Sequence, residues 1–249
     1  MAGLISPAER DYILKSIDAN IRADGRQRQD YREVTLEMGI VSQTSGSARV
    51  RIAGGTDILV SVKAEIGPVQ VDAETGEGFN KGQVVCNVEC APSASQQFEG
   101  RGAEDLNTEL TQMMTRFFSQ GGPSSSSSSA SSNTSAPSGS IASTDNTPTS
   151  STQASTGAGG IDLASLCIIP GQQCWILYID ALVMDYGGNL IDAVFMGTRA
   201  ALFDTRIPKT EVQDLGDGQF DFEVLDDAED TDVIKGREDV PICVTLNKV

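Results

Sequence analysis

Histidine is absent from this chain of 249 residues. Its imidazole is the usual general base of Ser-His-Asp and Cys-His systems and a common zinc ligand. Its absence therefore excludes those nucleophilic enzymes and His-ligated zinc sites. Any catalysis would have to use carboxylates, lysine, arginine or a bound metal ion.

Positive charge is also scarce. The chain has 18 Lys and Arg against 35 Asp and Glu, which gives a formal charge of −17 and a pI near 4.2. Proteins that bind nucleic acid on their own are usually basic, because phosphate contacts supply most of their affinity. We therefore expect this chain alone to bind RNA poorly, so that neighbouring chains would supply much of the positive field.

Cysteines and long apolar runs are few. The five cysteines are an odd number and are dispersed along the chain, which favours reduced thiols in an intracellular protein over a disulfide framework. No apolar run approaches the roughly 20 residues of a membrane-spanning helix, so we expect no membrane partner. Cys86 and Cys90 alternate with Val84 and Val88 in the pattern of a buried strand, which favours core thiols over a zinc site.

A serine-rich tract divides the chain. Residues 119–160 contain 16 serines, one charged residue and one large aliphatic side chain. Such a run cannot bury enough apolar surface to offset chain entropy, so we predict a disordered insertion. The remaining residues suffice for one two-layer domain, with its first half in residues 1–118 and its second half in residues 161–249.

The first half has clear helix and strand signals. Ser6 is a helix cap followed by Pro7 and Glu9, and an apolar stripe predicts a docking face on this first helix. Alternating apolar residues then predict three or four antiparallel strands, with turns at 45–47 and at 54–55. A second helix is predicted over 103–118.

The second half repeats the alternation of strands and helix. Strands are predicted over 167–169 and 175–184, followed by a Gly-Gly-Asn turn and a helix over 191–203 that stops ahead of Pro208. Further strands are predicted over 220–225 and 241–249. The order of strands, helix, strands, helix, strands predicts an α+β domain with helices layered on antiparallel sheets.

Several ungapped blocks resemble the RNase PH family. They are IRADGRQRQDYREVTLEMG (21–39), GSARVRIAGGTDILVSVKAEIG (46–67), CWILYIDALVMDYGGNLIDAVFMGTRAALFDTRIP (174–208) and VPICVTLNKV (240–249). The last two resemble one branch of the family, the ring subunits of the eukaryotic RNA exosome. The resemblance implies a βαβα domain of the ribosomal-protein-like class, six of which assemble as a ring. It also implies a C-terminal strand and helix that this sequence lacks, so the second half is expected to be truncated.

Active relatives use inorganic phosphate to attack the 3′-terminal phosphodiester of RNA. The resemblance implies a Thr-Arg pair that holds phosphate directly after the Gly-Gly turn, and here those positions carry Asn189 and Leu190. Leucine cannot replace a guanidinium against a phosphate dianion. A Gly-Thr-Arg run at 197–199 lies in the middle of the predicted helix, where we expect a surface or interface role, since anion sites favour helix N-termini.

The acidic residues also argue against phosphate binding and catalysis. Glu104 and Asp105 stand near the start of the second helix, where the resemblance implies arginines, and carboxylates repel phosphate. The segment 211–232 has ten carboxylates and no cation, which is typical of a solvated loop. Asp226 and Asp227 do not align convincingly with the metal-binding aspartates of active relatives. We therefore expect no catalytic residue, no metal site and no cofactor.

The cations concentrate in the first third of the chain. We treat as candidates for RNA backbone contacts in a channel the residues Arg22, Arg26, Arg28, Arg32, Lys63, Lys81 and Arg101. The alternative is that some of them pair with acids of the same or a neighbouring subunit. The sequence leaves individual residues unassigned between these roles.

The resulting hypothesis is a non-catalytic structural subunit of the exosome ring. The resemblance implies as partners other RNase PH-like ring subunits, cap subunits, an associated exoribonuclease and single-stranded RNA, with locations in the nucleus, nucleolus and cytoplasm. One alternative is a phosphorolytic 3′–5′ exoribonuclease whose site is completed by a partner, and the other is an RNA-binding adaptor that works outside any ring.

Overall fold

The computed structural model describes residues 6–70, 80–119, 158–216, 219–225 and 230–246. Within these ranges the chain forms three α-helices and ten strands, joined in places by single 3₁₀ turns. The helices are α1 (Pro7–Asp18), α2 (Glu104–Ser119) and α3 (Leu190–Asp204). The strands are β1 (Val34–Met38), β2 (Gly46–Ile52), β3 (Thr56–Pro68), β4 (Gln83–Cys90), β5 (Cys167–Ile169), β6 (Gln173–Asp185), β7 (Arg206–Pro208), β8 (Thr210–Gly216), β9 (Gln219–Val224) and β10 (Thr231–Val233).

One mixed sheet carries the fold, with strand order β1-β2-β3-β6-β4 and β5 paired to β6. The strands β1, β2 and β3 form the antiparallel meander that the sequence predicts. The expectation of a fourth antiparallel strand beside them is wrong. Strand β6 of the second half lies between β3 and β4, antiparallel to β3 and parallel to β4. The two halves of the chain therefore build a single sheet.

The helices α2 and α3 cover one face of this sheet. Alternate side chains of its central strands are buried beneath them, among them Val60, Val88 and Ile179. A Cβ atom at Gly197 would lie 2.7 Å from a methyl of Val60, so glycine lets α3 approach β3 closely. The helix α2 also shields the edge of β4, since the side chains of Asn107 and Thr111 accept hydrogen bonds from its backbone amides.

The cysteines of β4 belong to this core, as the alternation predicts. Cys86 and Cys90 are 5% and 3% exposed. Burial, followed by the nearby negative charges of Asp180 and Glu89 respectively, raises the pKa of the Cys86 thiol to about 12 and that of Cys90 to about 11. Both thiols are therefore protonated and unreactive at neutral pH.

The first helix begins as predicted but does not dock on the rest of the chain. The side chain of Ser6 accepts a hydrogen bond from the amide of Glu9 at 3.2 Å, and Pro7 opens the helix. No residue of α1 is buried. Tyr12 and Leu14 are 63% and 37% exposed, and Ile21 just beyond the helix is 56% exposed. Its apolar stripe is therefore available to another molecule.

The last part of the chain differs from the expected pattern. The acidic segment, expected to be a solvated loop, contributes the hairpin β8–β9 and the strand β10, which pairs with β7. Glu211 and Glu223 lie directly opposite each other in this hairpin. The strand predicted over 241–249 is wrong over residues 241–246, which form no ladder, because Pro241 lacks an amide donor and the amide of Thr245 bonds to a side chain instead.

Two further expectations concern a turn and the serine-rich tract. The predicted turn at 45–47 is displaced toward the N-terminus, because β2 already begins at Gly46. The disorder predicted for residues 119–160 and the boundaries at 118 and 161 stay predictions, since residues 120–157 lie outside the described ranges. In the described part of the chain, no helix combines the length and hydropathy needed to cross a membrane.

Candidate functional site

Two helices begin at the same end of the sheet. The parallel strands β4 and β6 are in register up to Cys90 and Val183, and the amide of Ala91 donates to the carbonyl of Val183 at 2.9 Å. The chain leaves β4 toward α2 and leaves β6 toward α3. The rings of Phe98 and Tyr186, one from each connection, lie 5.3 Å apart. A crevice between helix N-termini at the carboxyl ends of strands is a common place for anionic ligands.

The start of α3 does not present a phosphate-binding pair. Asn189 adopts the left-handed conformation, with φ of 62°, and its side-chain amide donates to Asp192 Oδ2 and to the hydroxyl of Tyr31, both at 3.0 Å. Leu190 is 6% exposed and belongs to the core. The two side chains at the positions of the implied Thr-Arg pair are therefore committed to the chain itself.

A carboxylate lies in the first turn of α3. Asp192 is fully buried and accepts four hydrogen bonds, from Tyr31 Oη at 3.3 Å, Asn189 Nδ2 at 3.0 Å, the Thr245 amide at 3.0 Å and Thr245 Oγ1 at 2.8 Å. Burial alone would raise the pKa of Asp192, but the bonds from Thr245, Asn189 and Tyr31 outweigh it and hold that pKa below its ordinary value. A permanent anion thus occupies the helix start that could otherwise attract phosphate.

Sequence reasoning missed this network. Its one sequence signal is an aspartate three positions after the asparagine that caps a predicted helix, a position that favours acidic side chains. The partners Tyr31 and Thr245 are 161 and 53 positions away from Asp192 in sequence. No local pattern indicates contacts of that range.

The start of α2 is also acidic. Glu104 and Asp105 are exposed in its first turn, where they complement the helix dipole. Arg101 precedes them with its side chain 90% exposed, and its Nε lies 3.6 Å from Glu104. Both helix starts therefore carry carboxylates, and one exposed guanidinium lies just ahead of α2.

Arg32 holds the two glycine turns together. Its guanidinium donates to the carbonyls of Gly187 and Gly188, each at 2.9 Å, and of Ala53 at 3.2 Å. The hydroxyl of Thr56 adds a bond to the Gly188 carbonyl at 2.6 Å. Among the RNA candidates, Arg32 is thus engaged with backbone carbonyls of the chain.

The other N-terminal arginines surround a groove beside α1. Arg26 pairs with Asp24 at 2.6 Å, and Arg22 donates to the carbonyl of Arg28, whose side chain is exposed. The groove measures about 1360 Å³ and is lined by α1, the loop 22–32, Asn189 and residues 244–246. The structure therefore brings Arg22, Arg26, Arg28 and Arg32 to one place.

The three remaining candidates lie elsewhere. Lys63 stands on the face of β3 away from the helices and pairs with Glu65 at 2.5 Å. Lys81 is exposed just ahead of β4, and Arg101 is exposed ahead of α2. None of these three residues lines the groove that the N-terminal arginines surround.

The Gly-Thr-Arg run, for which a surface or interface role is expected, packs within the chain, with Gly197 and Thr198 buried. Gly197 lies against the sheet, and the hydroxyl of Thr198 donates to the Val194 carbonyl at 2.8 Å. Arg199 donates to the carbonyls of Glu238 and Val240, which ties α3 to the turn that follows β10. This run is therefore accounted for by the fold.

The acidic candidates for a metal site are divided between described and undescribed residues. Asp226 and Asp227 lie outside the described ranges. Asp230 pairs with Lys209 at 3.2 Å, and Asp232 is exposed on β10. Among the residues that the structure describes, no three carboxylate or thiol side chains are close enough together to hold a metal ion.

Comparison with known proteins decides the family. Residues 30–208 match the profile of the 3′ exoribonuclease family RNase PH, domain 1. The chain belongs to the RNase PH family. This membership confirms the resemblance and the α+β fold that it implies.

Individual relatives narrow the position within the RNase PH family. The chain is 36% identical over 252 residues to a protein of Dictyostelium discoideum named putative exosome complex exonuclease RRP42, covering 98% of this chain and 76% of that protein. It is 31% identical over 211 residues to the exosome complex component Rrp42 of Methanothermobacter thermautotrophicus, covering 85% and 62%. The chain is thus similar to Rrp42 proteins along most of its length.

Solved structures agree on the fold. An Archaeoglobus fulgidus exosome with RNA bound to the active site matches with a TM-score of 0.56 at 22% identity, covering 93% of this chain and 78% of that one. An archaeal exosome core matches with a TM-score of 0.52 at 20% identity, covering 86% and 72%. At these identities the matches support the RNase PH fold alone.

Proposed function

We propose that this chain is a structural subunit of an RNA exosome ring that does not itself cleave RNA. It would pair with other RNase PH-like subunits and with cap subunits, and help form the channel that guides single-stranded RNA to a separate exoribonuclease. This role serves 3′–5′ degradation and rRNA processing. Its similarity to Rrp42 proteins and exosome cores supports the assembly, and its own side chains support the absence of catalysis.

The observation that carries the inactivity is the carboxylate of Asp192 in the first turn of α3. Phosphorolysis requires a phosphate dianion held by cations and hydroxyl donors. Here the helix start carries a buried negative charge, and Leu190 is turned into the core beside it. Coulomb repulsion between like charges a few ångströms apart disfavours phosphate at this place.

An assay of phosphorolysis tests this proposal. The purified chain, alone and assembled with its RNase PH-like partners, is supplied with a 3′-tailed RNA and inorganic phosphate. We expect no nucleoside diphosphate from the chain alone. We expect any release by the assembly to be unaffected by Asn189→Ala, Asp226→Asn or Asp227→Asn in this chain. Release that requires phosphate and is lost with these substitutions would instead establish a site that this chain shares with a partner.

We further propose that exposed cations outside the groove contact the RNA backbone. Arg101 and Lys81 fit this role, because both are exposed and the ion pair of Arg101 with Glu104, at 3.6 Å between two exposed side chains, is weak. In the assembly, the double substitution Arg101→Ala and Lys81→Ala should reduce the slope of log affinity against log salt by about 1.4, since each single-strand phosphate contact contributes roughly 0.7. Lys63→Ala is the matched control, because Glu65 already neutralises that ammonium. An unchanged slope in the double variant would remove these residues from the RNA path.

The proposed function also predicts where the chain is found in the cell. A subunit for both rRNA processing and general RNA degradation is expected in the nucleolus, the nucleus and the cytoplasm. Fluorescence microscopy of the tagged chain in its own cells checks this distribution. Restriction to a membrane-bounded compartment other than the nucleus would contradict it.

A further inference from the structure

The groove beside α1 combines an apolar floor with a cationic wall. Its floor is aliphatic, with Ile13, Leu14 and Ile17 from α1 facing Val244 and Leu246. Val244 and Leu246 are 62% and 90% exposed. No residue of α1 is buried by the described part of the chain. Within α1, Leu14 is 37% exposed and Ile13 and Ile17 are half-buried, so the domain covers this apolar face only in part, which is typical of a contact surface.

The wall of the groove has an excess of one positive charge in an otherwise acidic chain. Four arginines and three aspartates line it, whereas the whole chain has a formal charge of −17. Arg26 is neutralised by Asp24 at 2.6 Å. The guanidiniums of Arg22 and Arg32 donate to backbone carbonyls, and neither they nor Arg28 form an ion pair with a described residue.

We propose that this groove binds an acidic, apolar segment of a neighbouring protein subunit. Aliphatic side chains of the segment would cover α1 and residues 244–246, and its carboxylates would meet Arg22, Arg28 and Arg32. The inference rests on the proposed function, because the neighbour is a subunit of the same assembly. It assigns the N-terminal arginines to a protein contact, leaving RNA to cations outside the groove.

The chemistry of the groove favours protein over RNA. Single-stranded RNA binds best where bases stack on aromatic faces along a basic track. Here five aliphatic side chains (Ile13, Leu14, Ile17, Val244 and Leu246) outnumber two tyrosines, Tyr12 and Tyr31, and the hydroxyl of Tyr31 is engaged with Asp192. Asp18, Asp24 and Asp30 stand among the arginines, where they would repel RNA phosphates. An extended or helical peptide with alternating carboxylates and aliphatic side chains matches both the floor and the wall.

The test uses the full chain reconstituted with recombinant ring and cap subunits of the exosome from its own organism. Hydrogen exchange is measured for the amides of α1 in the free chain and in the assembly. We expect exchange at least tenfold slower in the assembly. A photo-crosslinking residue placed at Ser16, which also lines the groove, should join this chain to an acidic segment of one subunit.

Two variants and two matched controls measure the contact by affinity. We expect Arg22→Glu with Arg28→Glu, and separately Ile13→Ser with Ile17→Ser, to weaken entry into the assembly at least tenfold. Arg116→Glu on the exposed side of α2 and Val85→Ser on the exposed side of β4 each make one such change elsewhere, a single charge reversal and a single loss of an aliphatic side chain. They should alter affinity less than twofold. Because α1 has no buried residue, its variants should keep the fold, which their circular dichroism and melting temperature check.

Each contrary result has a separate meaning. If the wild-type chain joins the ring while α1 exchanges as fast as in the free chain, the groove inference is wrong and the proposed function stands. Crosslinks to RNA alone, or slow exchange of α1 already in the free chain, would also overturn it. Failure of the wild-type chain to enter any such assembly would overturn the proposed function together with the inference.

Discussion

Replacing Asp192 by Asn should lower the free energy of unfolding by about 3 kcal/mol, since a buried acceptor of charge-assisted hydrogen bonds is lost and its donors are left facing an amide. The four bonds join α3 to the N-terminal segment through Tyr31 and to the last segment through Thr245. Urea unfolding followed by the fluorescence of Trp175, which is the single tryptophan of the chain, measures the loss. Asp180→Asn changes an exposed carboxylate of β6 and should cost less than about 0.5 kcal/mol.

The carboxylate of Asp192 also makes the free energy of unfolding depend on pH. The pKa of Asp192 is lower in the folded chain than its ordinary value of 3.8. Its contribution is therefore fully present above about pH 4 and is lost as the pH falls through the folded pKa. The difference in stability between wild type and Asp192→Asn should narrow as the solution is acidified below about pH 4. A difference that stays constant down to pH 2 would mean that the carboxylate charge contributes nothing.

Alanine at Gly187 should be nearly as damaging. A Cβ atom there would lie 2.0 Å from the carbonyl oxygen and 2.6 Å from the carbonyl carbon of Gly54. Both neighbours are backbone atoms in turns that Arg32 holds together, so neither turn can shift alone. We expect a loss of about 3 kcal/mol, seen as a fall in melting temperature of roughly 6–12 °C.

A second glycine shows the opposite case, in which alanine would meet backbone strain but no neighbouring atom. Gly171 has φ of 74° and open space around its Cα, so Gly171→Ala reports the conformational strain alone. That strain costs about 1–2 kcal/mol. Gly187 does not have a positive φ, so its loss comes from the contact with Gly54 and not from strain. A melting temperature of Gly187→Ala equal to that of the wild type would show that the β2–β3 turn and the turn after β6 are not in rigid contact.

The sequence predicts the local elements well. The cap at Ser6, the three helices, the meander β1–β3 and the long strand β6 follow from periodicity, capping and turn residues, which are properties of neighbouring positions. The resemblance to the RNase PH family adds the fold class. It also identifies Asn189 and Leu190 as the positions of the missing Thr-Arg pair.

What the sequence does not predict is pairing over long distances. The parallel contact of β4 with β6 joins residues about 90 positions apart, across the serine-rich tract, and alternation alone favours neither partner nor direction. The partners of Asp192 lie in three separate segments for the same reason. The strand expected over 241–249 is wrong over residues 241–246 for the same reason, because the amide of Thr245 bonds to the distant side chain of Asp192 and not to a neighbouring strand.

The candidate cations also show that local sequence does not predict long-range contacts. Composition identifies them, but only their neighbours separate Arg32, which binds three carbonyls, from Arg101, which stands in solvent. Arg199 belongs to a Gly-Thr-Arg run of the kind that can bind anions. In the structure its guanidinium donates to backbone carbonyls and joins α3 to the turn at 237–239. Charge alone therefore does not distinguish scaffold from ligand contact.

The place of β6 within the sheet has a consequence for synthesis on the ribosome. When residue 119 has emerged, β3 and β4 have been made, but the strand that separates them has not, and in the finished sheet they lie about 10 Å apart. The nascent polypeptide must hold two unsatisfied strand edges until residue 185 leaves the exit tunnel. During that interval we expect chaperones to bind the exposed strand edges. A chain that stops before β6 cannot complete the sheet, and we expect it to be degraded instead of assembled.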